Sequence, residues 1–354
     1  MPNFLINTDI KLKNIVKDLS SSSYIGVDTE FIRESTYYPK LALLQLSDEN
    51  NTYCIDILQI QDMEILKTLW VNNSIKKIFH SAKQDLEVIN HYFNCHPNNV
   101  FDTQIAYNLL SIDVNISYSN LVKKYFDITL KDGSWRTDWL KRPLSKEKIE
   151  YAANDVKYLL GLYQFLKQEL VDAHRYSWLE EEINADLAKD NIVTIPSTSW
   201  KKINLPSNTS TFHLKNIKTL SKWREEKAII NNIPKSWIFN DRELIKIATA
   251  KKNKLDYVLS SLKHEISSKD ISYIKDICKN DIENKKLSSR EFNASIYNNI
   301  INKCHEVLQN TCEKHQIAST LIANKRDIDL FARGKKDVKF LCGWRFKIFG
   351  KLVQ

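Results

Sequence analysis

One stretch, residues 24–31 with the sequence YIGVDTEF, places two carboxylates directly after residues that favour a strand. Ile25 and Val27 suit a packed, pleated strand. Side chains two positions apart in a strand point to the same face, so Asp28 and Glu30 would project side by side. Two adjacent carboxylates repel each other without a cation and suit divalent cations that prefer oxygen ligands. A strand end carrying two hydrated acids fits the same pattern, so both interpretations stay open on this stretch alone.

The rest of the first half alternates predicted strands and helices. The spacing of apolar residues predicts strands at 24–31, 41–46, 52–57 and 76–80, and later helices starting near 102 and covering 118–126 and 146–169. The first three strands form a predicted meander, and the strand-then-helix order begins with the fourth. This half is therefore predicted to be α/β, with a sheet that mixes antiparallel and parallel strands.

A connector rich in proline, serine, asparagine and threonine interrupts this pattern at 196–210. Every periodic segment after it has helical spacing, with a further break at 284–289. The predicted organisation is a domain over 1–195, a linker over 196–210, and two small helical domains over 211–288 and 289–354.

Charge is divided unevenly between the two halves. Residues 1–195 carry 21 basic and 27 acidic side chains, a net charge of −6, whereas residues 196–354 carry 31 and 16, a net charge of +15. A basic part can hold a polyanion by its phosphates while an acidic part concentrates carboxylates around metal. A solvated lysine-rich surface would have the same composition. The local basic clusters are Lys251, Lys252, Lys254, Lys325, Arg326, Lys335 and Lys336.

Two classes of protein are disfavoured by the sequence. The six cysteines show neither a C-x-x-C pair nor zinc-ligand spacing, which indicates reduced thiols rather than a disulfide framework or a structural zinc. No apolar run is long enough to cross a bilayer, and the N-terminus lacks a secretory signal pattern. We expect a soluble cytoplasmic protein without a membrane partner, and we take it to be a monomer.

Three further side chains extend the acidic pair. Asp85 lies in the predicted first turn of a helix, where unpaired backbone N–H groups favour an anion. Tyr151 and Asp155 lie four residues apart and therefore share one face of a helix. Taken singly, each residue fits a cap, a surface acid or a half-buried tyrosine. Taken together, they add two carboxylates and a phenol to Asp28 and Glu30.

In order and spacing, these residues resemble the three motifs of the tyrosine subtype of DEDD-superfamily 3′-to-5′ exonucleases. The motifs are DTE at 28–30, HSAKQDL at 80–86 and Y-x-x-x-D at 151–155. Asp102-Thr103-Gln104 and the segment RTDWLKRPL at 136–144 further resemble the ribonuclease D family. The segment WREEKA at 223–228 is similar to the HRDC domain, and residues from about 291 onward are similar to the second helical domain of bacterial members.

One loop departs from the family pattern. Lys131-Asp132 stands where the family usually has an acid followed by lysine, and Trp135 stands at a normally smaller position. The departure bears on substrate contacts in that loop and leaves the carboxylates untouched.

The resemblance implies a fold and a cofactor. The fold would be a ribonuclease H-like α/β exonuclease domain with a mixed five-stranded sheet, followed by two small all-α, HRDC-like domains. The cofactor would be two divalent metal ions, Mg²⁺ or Mn²⁺. Asp28 would bridge them, Glu30 and Asp155 would help hold the ion that activates water, and Asp85 would help hold the ion at the leaving group. Tyr151 would orient the attacking water, because a phenol with a reference pKa of about 10 stays neutral.

The implied activity is removal of single nucleotides from RNA 3′ ends, with release of nucleoside 5′-monophosphates and with transfer-RNA precursors and other small structured RNAs as substrates. Phe31 would stack on a terminal base, or pack in the core, and Gln84 would touch the sugar or base, or be a solvated amide. The residues alone do not choose RNA over DNA. The alternatives are therefore a DNA 3′-to-5′ exonuclease and a catalytically silent RNA-binding adaptor.

Overall fold

The computed structural model describes residues 3–131, 138–206, 209–264, 266–278 and 294–354. These residues form two compact units. The first comprises Met1–Phe31, Leu41–Ile192 and Arg290–Gln354, and the second comprises Ile32–Lys40 and Val193–Ser289. Asp132, Trp135, the Arg136-Thr137 start of the 136–144 motif and the predicted boundary between residues 288 and 289 lie outside the described residues.

A mixed sheet forms the centre of the first unit. Its strands are β1 (Asn3–Ile6), β2 (Tyr24–Ile32), β3 (Lys40–Ser47), β4 (Thr52–Asp56), β5 (Lys76–Phe79) and β6 (Val100–Asp102), and they lie in the order β1-β4-β3-β2-β5-β6. β3 and β4 are antiparallel, whereas β1–β4, β2–β5 and β5–β6 are parallel. The expected mixture of directions is confirmed, but the sheet has six strands and not five. Both edge strands are short, four and three residues, and carry no periodic pattern that sequence reasoning could use.

The parallel strands determine where functional side chains can meet. Because β2, β5 and β6 run in the same direction, their carboxyl ends lie at the same edge of the sheet. Asp28 and Glu30 lie in the second half of β2, and Asp102 is the last residue of β6. The chain leaving β5 reaches Asp85 six residues after the strand ends.

Nine helices precede residue 193 in the described part of the chain: α1 (Asp9–Leu19), α2 (Lys67–Val71), α3 (Lys83–Phe93), α4 (Thr103–Asn108), α5 (Tyr118–Phe126), α6 (Lys146–Lys157), α7 (Leu159–Asp172), α8 (Tyr176–Asp186) and α9 (Lys189–Ile192).

The helix predicted over 146–169 is broken at Tyr158. The Tyr118 hydroxyl donates to the Asn154 carbonyl at 2.9 Å and accepts from the Tyr158 N–H at 3.1 Å. It therefore stands between the two groups that would otherwise form a helical hydrogen bond, and such an insertion breaks a helix.

The second unit is helical. It contains α10 (Thr211–Asn231), α11 (Asp241–Thr249), α12 (Leu255–Ser260) and α13 (Ser268–Cys278), with 3₁₀ turns at Pro196–Lys202, Lys235–Trp237 and Lys252–Lys254. It also holds the segment Ile32–Lys40. The Tyr37 hydroxyl donates to Glu225 at 2.6 Å, and the Asn232 side-chain oxygen accepts from the N–H groups of Tyr37 and Tyr38. The residues that follow the acidic strand β2 are therefore anchored among these helices.

The last helices belong to the first unit. They are α14 (Ala294–His315), α15 (Ser319–Ile322), α16 (Lys325–Ala332), α17 (Gly343–Arg345) and α18 (Lys351–Val353), with a 3₁₀ turn at Lys339–Leu341 and a π turn at Phe346–Gly350. Phe340 and Trp344 share one hydrophobic core with Leu162 of α7. Trp344 stacks on Trp178 of α8 with ring centroids 4.6 Å apart. Among the described helices, no segment combines the length and apolar character needed to cross a membrane.

Candidate active site

Close packing of α6 on the sheet creates one wall of the site. A Cβ added to Gly26 would lie 2.3 Å from the Ser47 hydroxyl oxygen and 3.2 Å from the Val156 carbonyl oxygen, so only glycine permits this approach. The Ser47 hydroxyl in turn donates to the Val156 carbonyl at 2.9 Å. Asp28 and Glu30 follow Gly26 at alternate positions of β2 and therefore face α6 as well.

Three carboxylates converge on this face. Oxygen atoms of Asp28, Glu30 and Asp155 lie within 4.8 Å of one another, and among the described residues no other group of three or more His, Cys, Asp or Glu side chains is as close. Burial raises the pKa of Asp28 to about 7. Burial, together with the charges of the neighbouring acids, raises the pKa of Glu30 to about 10 and raises that of Asp155. A bound cation would relieve the desolvation and the repulsion that produce these shifts.

Asp85 reaches the site from the other side of β2. It is buried in the first turn of α3, and its Oδ1 accepts a 2.5 Å hydrogen bond from the Thr29 hydroxyl. Thr29 lies between Asp28 and Glu30 in the strand, so its side chain points to the opposite face. Burial and the charge of Asp28 raise the pKa of Asp85. Asp85 is thus outside the group of three carboxylates but electrostatically linked to Asp28.

Tyr151 completes the predicted set of side chains. All four carboxylates and Tyr151 line one cavity of about 410 Å³. Burial, together with the charges of Asp155, Glu30 and Asp28, raises the pKa of the Tyr151 phenol above its ordinary value. Its ring lies 6.2 Å from that of Trp139, which lies 5.6 Å from the Lys148 ammonium. Tyr151 is therefore a neutral phenol whose ring lies beside Trp139.

The two predicted substrate contacts also line this cavity. Phe31 is partly buried and packs against the hydrophobic core, whereas Gln84 is exposed. Both residues therefore stay predicted substrate contacts: the Gln84 amide is open to solvent, and Phe31 packs on the core while it also lines the cavity.

Sequence reasoning missed several side chains of the site. Tyr118 lines the cavity and holds the end of α6 through its hydroxyl, yet it is one of 15 tyrosines and carries no motif. His80 lies in the HSAKQDL motif, but only the structure shows which groups its ring contacts. Its Nδ1 lies 2.9 Å from the Thr103 hydroxyl and its Nε2 lies 3.0 Å from the Ile116 carbonyl oxygen, and burial lowers its pKa.

The donor set fits hard divalent cations. Every ligating atom that converges at this point is a carboxylate oxygen, which is the donor type that Mg²⁺ and Mn²⁺ prefer. Cys54 lies near the cluster, but burial and the charges of Asp155 and Glu30 raise the pKa of its thiol to about 12. The thiol therefore stays protonated and does not compete as a soft ligand.

Comparison with known proteins agrees with this geometry. A family model described as 3′-5′ exonuclease matches residues 3–171, and an HRDC domain model matches residues 213–261. Ribonuclease D of Zymomonas mobilis is 34% identical, covering 98% of this chain and 92% of its own. Ribonuclease D of Bartonella henselae is 31% identical, covering 99% of this chain and 89% of its own.

A solved structure is similar over the whole length. The crystal structure of Escherichia coli RNase D, described as an exoribonuclease involved in structured RNA processing, has a TM-score of 0.82 and 26% identity to this chain. The match covers 100% of this chain and 98% of that one. The resemblance found in the motifs is thus confirmed over the complete sequence, and the chain belongs to the ribonuclease D family of 3′-to-5′ exoribonucleases.

Proposed function

We propose that this chain removes nucleotides one at a time from RNA 3′ ends by hydrolysis supported by two divalent ions, Mg²⁺ or Mn²⁺, and releases nucleoside 5′-monophosphates. The observation that carries the proposal is the convergence of Asp28, Glu30 and Asp155 within 4.8 Å, with Asp85 electrostatically linked to Asp28. Four carboxylates offer enough negative charge to nearly balance two dications.

The arrangement suggests how the carboxylates share the ions. Asp28 lies close to Asp155 of α6 and is electrostatically linked to Asp85 of α3. It would therefore contribute to both ion positions. Glu30 and Asp155 would complete the first position, and Asp85 would complete the second. Ions held there would supply Lewis-acid activation of the attacking water and compensation for negative charge on the phosphoryl oxygens.

The protein's own groups would orient the reactants. Tyr151 lines the same cavity as Asp155, and its neutral phenol can donate a hydrogen bond to that carboxylate when the carboxylate is charged. Its oxygen keeps a lone pair that can accept a hydrogen bond from the attacking water. Since the pKa of the phenol is raised, Tyr151 would direct this water without removing its proton.

The proposed substrates are transfer-RNA precursors and other small structured RNAs, and the proposed role is transfer-RNA 3′ maturation in the cytoplasm by a monomer. The E. coli relative described as acting in structured RNA processing supports this choice. The seven basic residues predicted to contact phosphate are all exposed, which leaves them open to a polyanion. We also retain the proposed domain organisation of 1–195, 196–210, 211–288 and 289–354.

A direct test compares a 3′-extended transfer RNA with a single-stranded DNA of matched sequence, each incubated with the protein and Mg²⁺ or Mn²⁺. We expect stepwise shortening of the RNA and the appearance of nucleoside 5′-monophosphates on chromatography. Asp28→Asn serves as the inactive control. Faster shortening of the DNA would establish the DNA exonuclease alternative, and RNA binding without shortening of either strand would establish the adaptor alternative.

The role of the exposed lysines is tested by salt titration of RNA binding in the Asp28→Asn background, which prevents digestion. Lys251, Lys252 and Lys254 are replaced together by glutamine. We expect the slope of log affinity against log salt to become shallower by about 0.7 to 0.9 for each lost phosphate contact. An unchanged slope would assign this cluster to a solvated surface.

A further inference from the structure

The carboxylate of Asp102 binds four backbone N–H groups from two separate segments. It accepts from Ser81 at 3.1 Å, from Ala82 at 2.7 Å, from Gln104 at 2.8 Å and from Ile105 at 3.2 Å. The side chain is only 2% exposed, so water does not replace these bonds. One buried carboxylate thus satisfies two N–H groups of the turn that leads into α3 and two N–H groups in the first turn of α4.

The bonds to α4 are those of an ordinary N-cap, whereas the bonds to Ser81 and Ala82 join the turn before α3 to a distant part of the chain. The residue at the N-cap position of α3 is Ala82, whose methyl group offers no acceptor. Ser81, just before it, has a φ of 63°, a left-handed conformation that disfavours non-glycine residues. Something outside α3 must therefore hold this turn, and Asp102 supplies the hydrogen bonds.

This turn determines where Asp85 lies. The Leu86 N–H bonds to the Ala82 carbonyl at 2.9 Å, so the first helical turn starts at the residue that Asp102 holds. Asp85 projects from that turn toward Thr29 and the cavity. A shift of Ser81 and Ala82 would therefore move the Asp85 carboxylate directly, while Asp102 itself is not among the residues that line the cavity.

We propose that Asp102 is a positioning residue for the reaction: it holds the Ser81-Ala82 turn so that the Asp85 carboxylate is placed for its ion. The inference rests on the proposed function, in which Asp85 helps hold one of two divalent ions. Residues that orient metal ligands typically change metal affinity or activity by about 10-fold to 100-fold when mutated.

The test variant is Asp102→Asn, which keeps the shape of the side chain. One carboxylate oxygen becomes an NH₂ group, so at least one of the four acceptor contacts is lost. We expect Mn²⁺ titration calorimetry to show one of two ion sites weakened by about 10-fold to 100-fold. We also expect faster backbone hydrogen exchange over residues 81–86 in the metal-free protein.

A matched control separates this effect from the general loss of a helix cap. Asn324→Ala removes the N-cap of α16, a helix in the same compact unit. The Asn324 side-chain oxygen accepts a hydrogen bond from the Asp327 N–H at 2.8 Å. We expect this variant to have a lower melting temperature but unchanged Mn²⁺ affinity and unchanged exchange over residues 81–86.

Two further variants separate the possible explanations of the Asp102→Asn result. Asp85→Asn should remove one ion site; if it does not, the proposed function fails, whatever Asp102 does. If Asp85→Asn removes the site but folded Asp102→Asn binds both ions with unchanged affinity, the positioning role is overturned. The Asp85→Asn/Asp102→Asn double variant should bind Mn²⁺ no more weakly than Asp85→Asn, and a further loss would show that Asp102 does not act through Asp85.

The proposal can still be tested if Asp102→Asn does not fold. Ser81→Gly removes the penalty for the left-handed conformation, so it should help Asp102→Asn to fold without replacing the lost hydrogen bonds. If Asp102→Asn alone does not fold, the comparison is made between Ser81→Gly and Ser81→Gly/Asp102→Asn. Equal affinity of these two proteins at both ion sites, together with equal exchange over residues 81–86, would overturn the proposal.

Discussion

The Thr29 hydroxyl donates a 2.5 Å hydrogen bond to Asp85 and thereby joins β2, the strand of Asp28 and Glu30, to α3. Thr29→Val keeps the shape of the side chain but removes this donor. We expect about 10-fold to 100-fold slower nucleotide release or weaker Mn²⁺ binding, because Asp85 loses the group that orients it. Thr29→Ser keeps the hydroxyl and should stay close to the unmodified protein in both assays. Equal activity of the valine and serine variants would contradict this role.

In the proposed arrangement, Asp28 is the carboxylate that both ion positions would share. Asp28→Asn or Asp155→Asn should abolish nucleotide release, because each removes a charged oxygen ligand from the cluster. RNA binding should be largely unchanged, since the exposed basic residues are untouched. Product formation is measured by chromatography and binding by fluorescence anisotropy of labelled RNA. Near-normal turnover of either variant in Mg²⁺ would refute the assignment of two ions.

Tyr151 lines the same cavity as Asp155, and its ring packs near Trp139. Tyr151→Phe removes the hydroxyl and keeps the ring. We expect turnover to fall by about 10²-fold or more, within the range usual for a lost acid–base or orienting group, with little change in melting temperature. A variant that melts far lower would show instead that the hydroxyl mainly stabilises the fold.

The raised pKa values predict how pH affects the metal-free protein. The pKa of Asp28 is about 7 and that of Glu30 is about 10 in the folded state, both well above their ordinary values of 3.8 and 4.5. Between the ordinary and the raised values the folded state binds more protons than the unfolded state, so stability is lost as pH rises. We expect the melting temperature in chelator to fall from about pH 5 to about pH 9, and the fall to be shallower in Asp28→Asn.

Added Mn²⁺ should oppose this loss, because an ion binds the deprotonated carboxylates and releases their protons. Calorimetry in two buffers of different ionisation enthalpy measures the number of protons released. A melting temperature that rises with pH in chelator would contradict the raised pKa values.

Glu182 connects the last helices to α8. It accepts from Trp344 Nε1 at 2.7 Å and from both terminal nitrogens of Arg345 at 2.5 and 2.8 Å, and it is only 3% exposed. Glu182→Ala should destabilise the protein by about 3 to 5 kcal/mol, because a guanidinium that is only 12% exposed loses its carboxylate partner. Glu64→Ala removes an exposed pair with Lys67 and should cost at most about 1 kcal/mol. If the two variants had equal free energies of unfolding in urea, Glu182 would stabilise the protein no more than an exposed ion pair does.

The same contacts change an expectation about truncation. The sequence predicts a separate domain over residues 1–195, so a protein ending there would be expected to keep its catalytic site. In the structure, α14 to α18 complete the hydrophobic core that also contains Leu162 of α7, so the truncated chain would expose this core to water. The basic residues are therefore better tested by substitution than by truncation.

Local spacing was enough to pair the active-site residues within their own elements. Asp28 and Glu30 share a face because a strand repeats every two residues, and Tyr151 and Asp155 share a face because a helix repeats every 3.6. The α/β character of the first half and the helical character of the second follow from the same periods. These features depend only on neighbours in the chain, so the sequence determined them by itself.

Tertiary structure decided the features that join distant segments. Thr29 and Asp85 are 56 residues apart, and Tyr118 lies 36 residues from the Asn154 carbonyl that it binds. The hydrogen bonds of Asp102 to the turn before α3 and the packing of α14 to α18 on α7 and α8 are equally nonlocal. No periodic pattern encodes such pairs, because they form only when the sheet order and the close packing of its helices bring separate hydrogen-bonding groups together in a buried place where water cannot satisfy them.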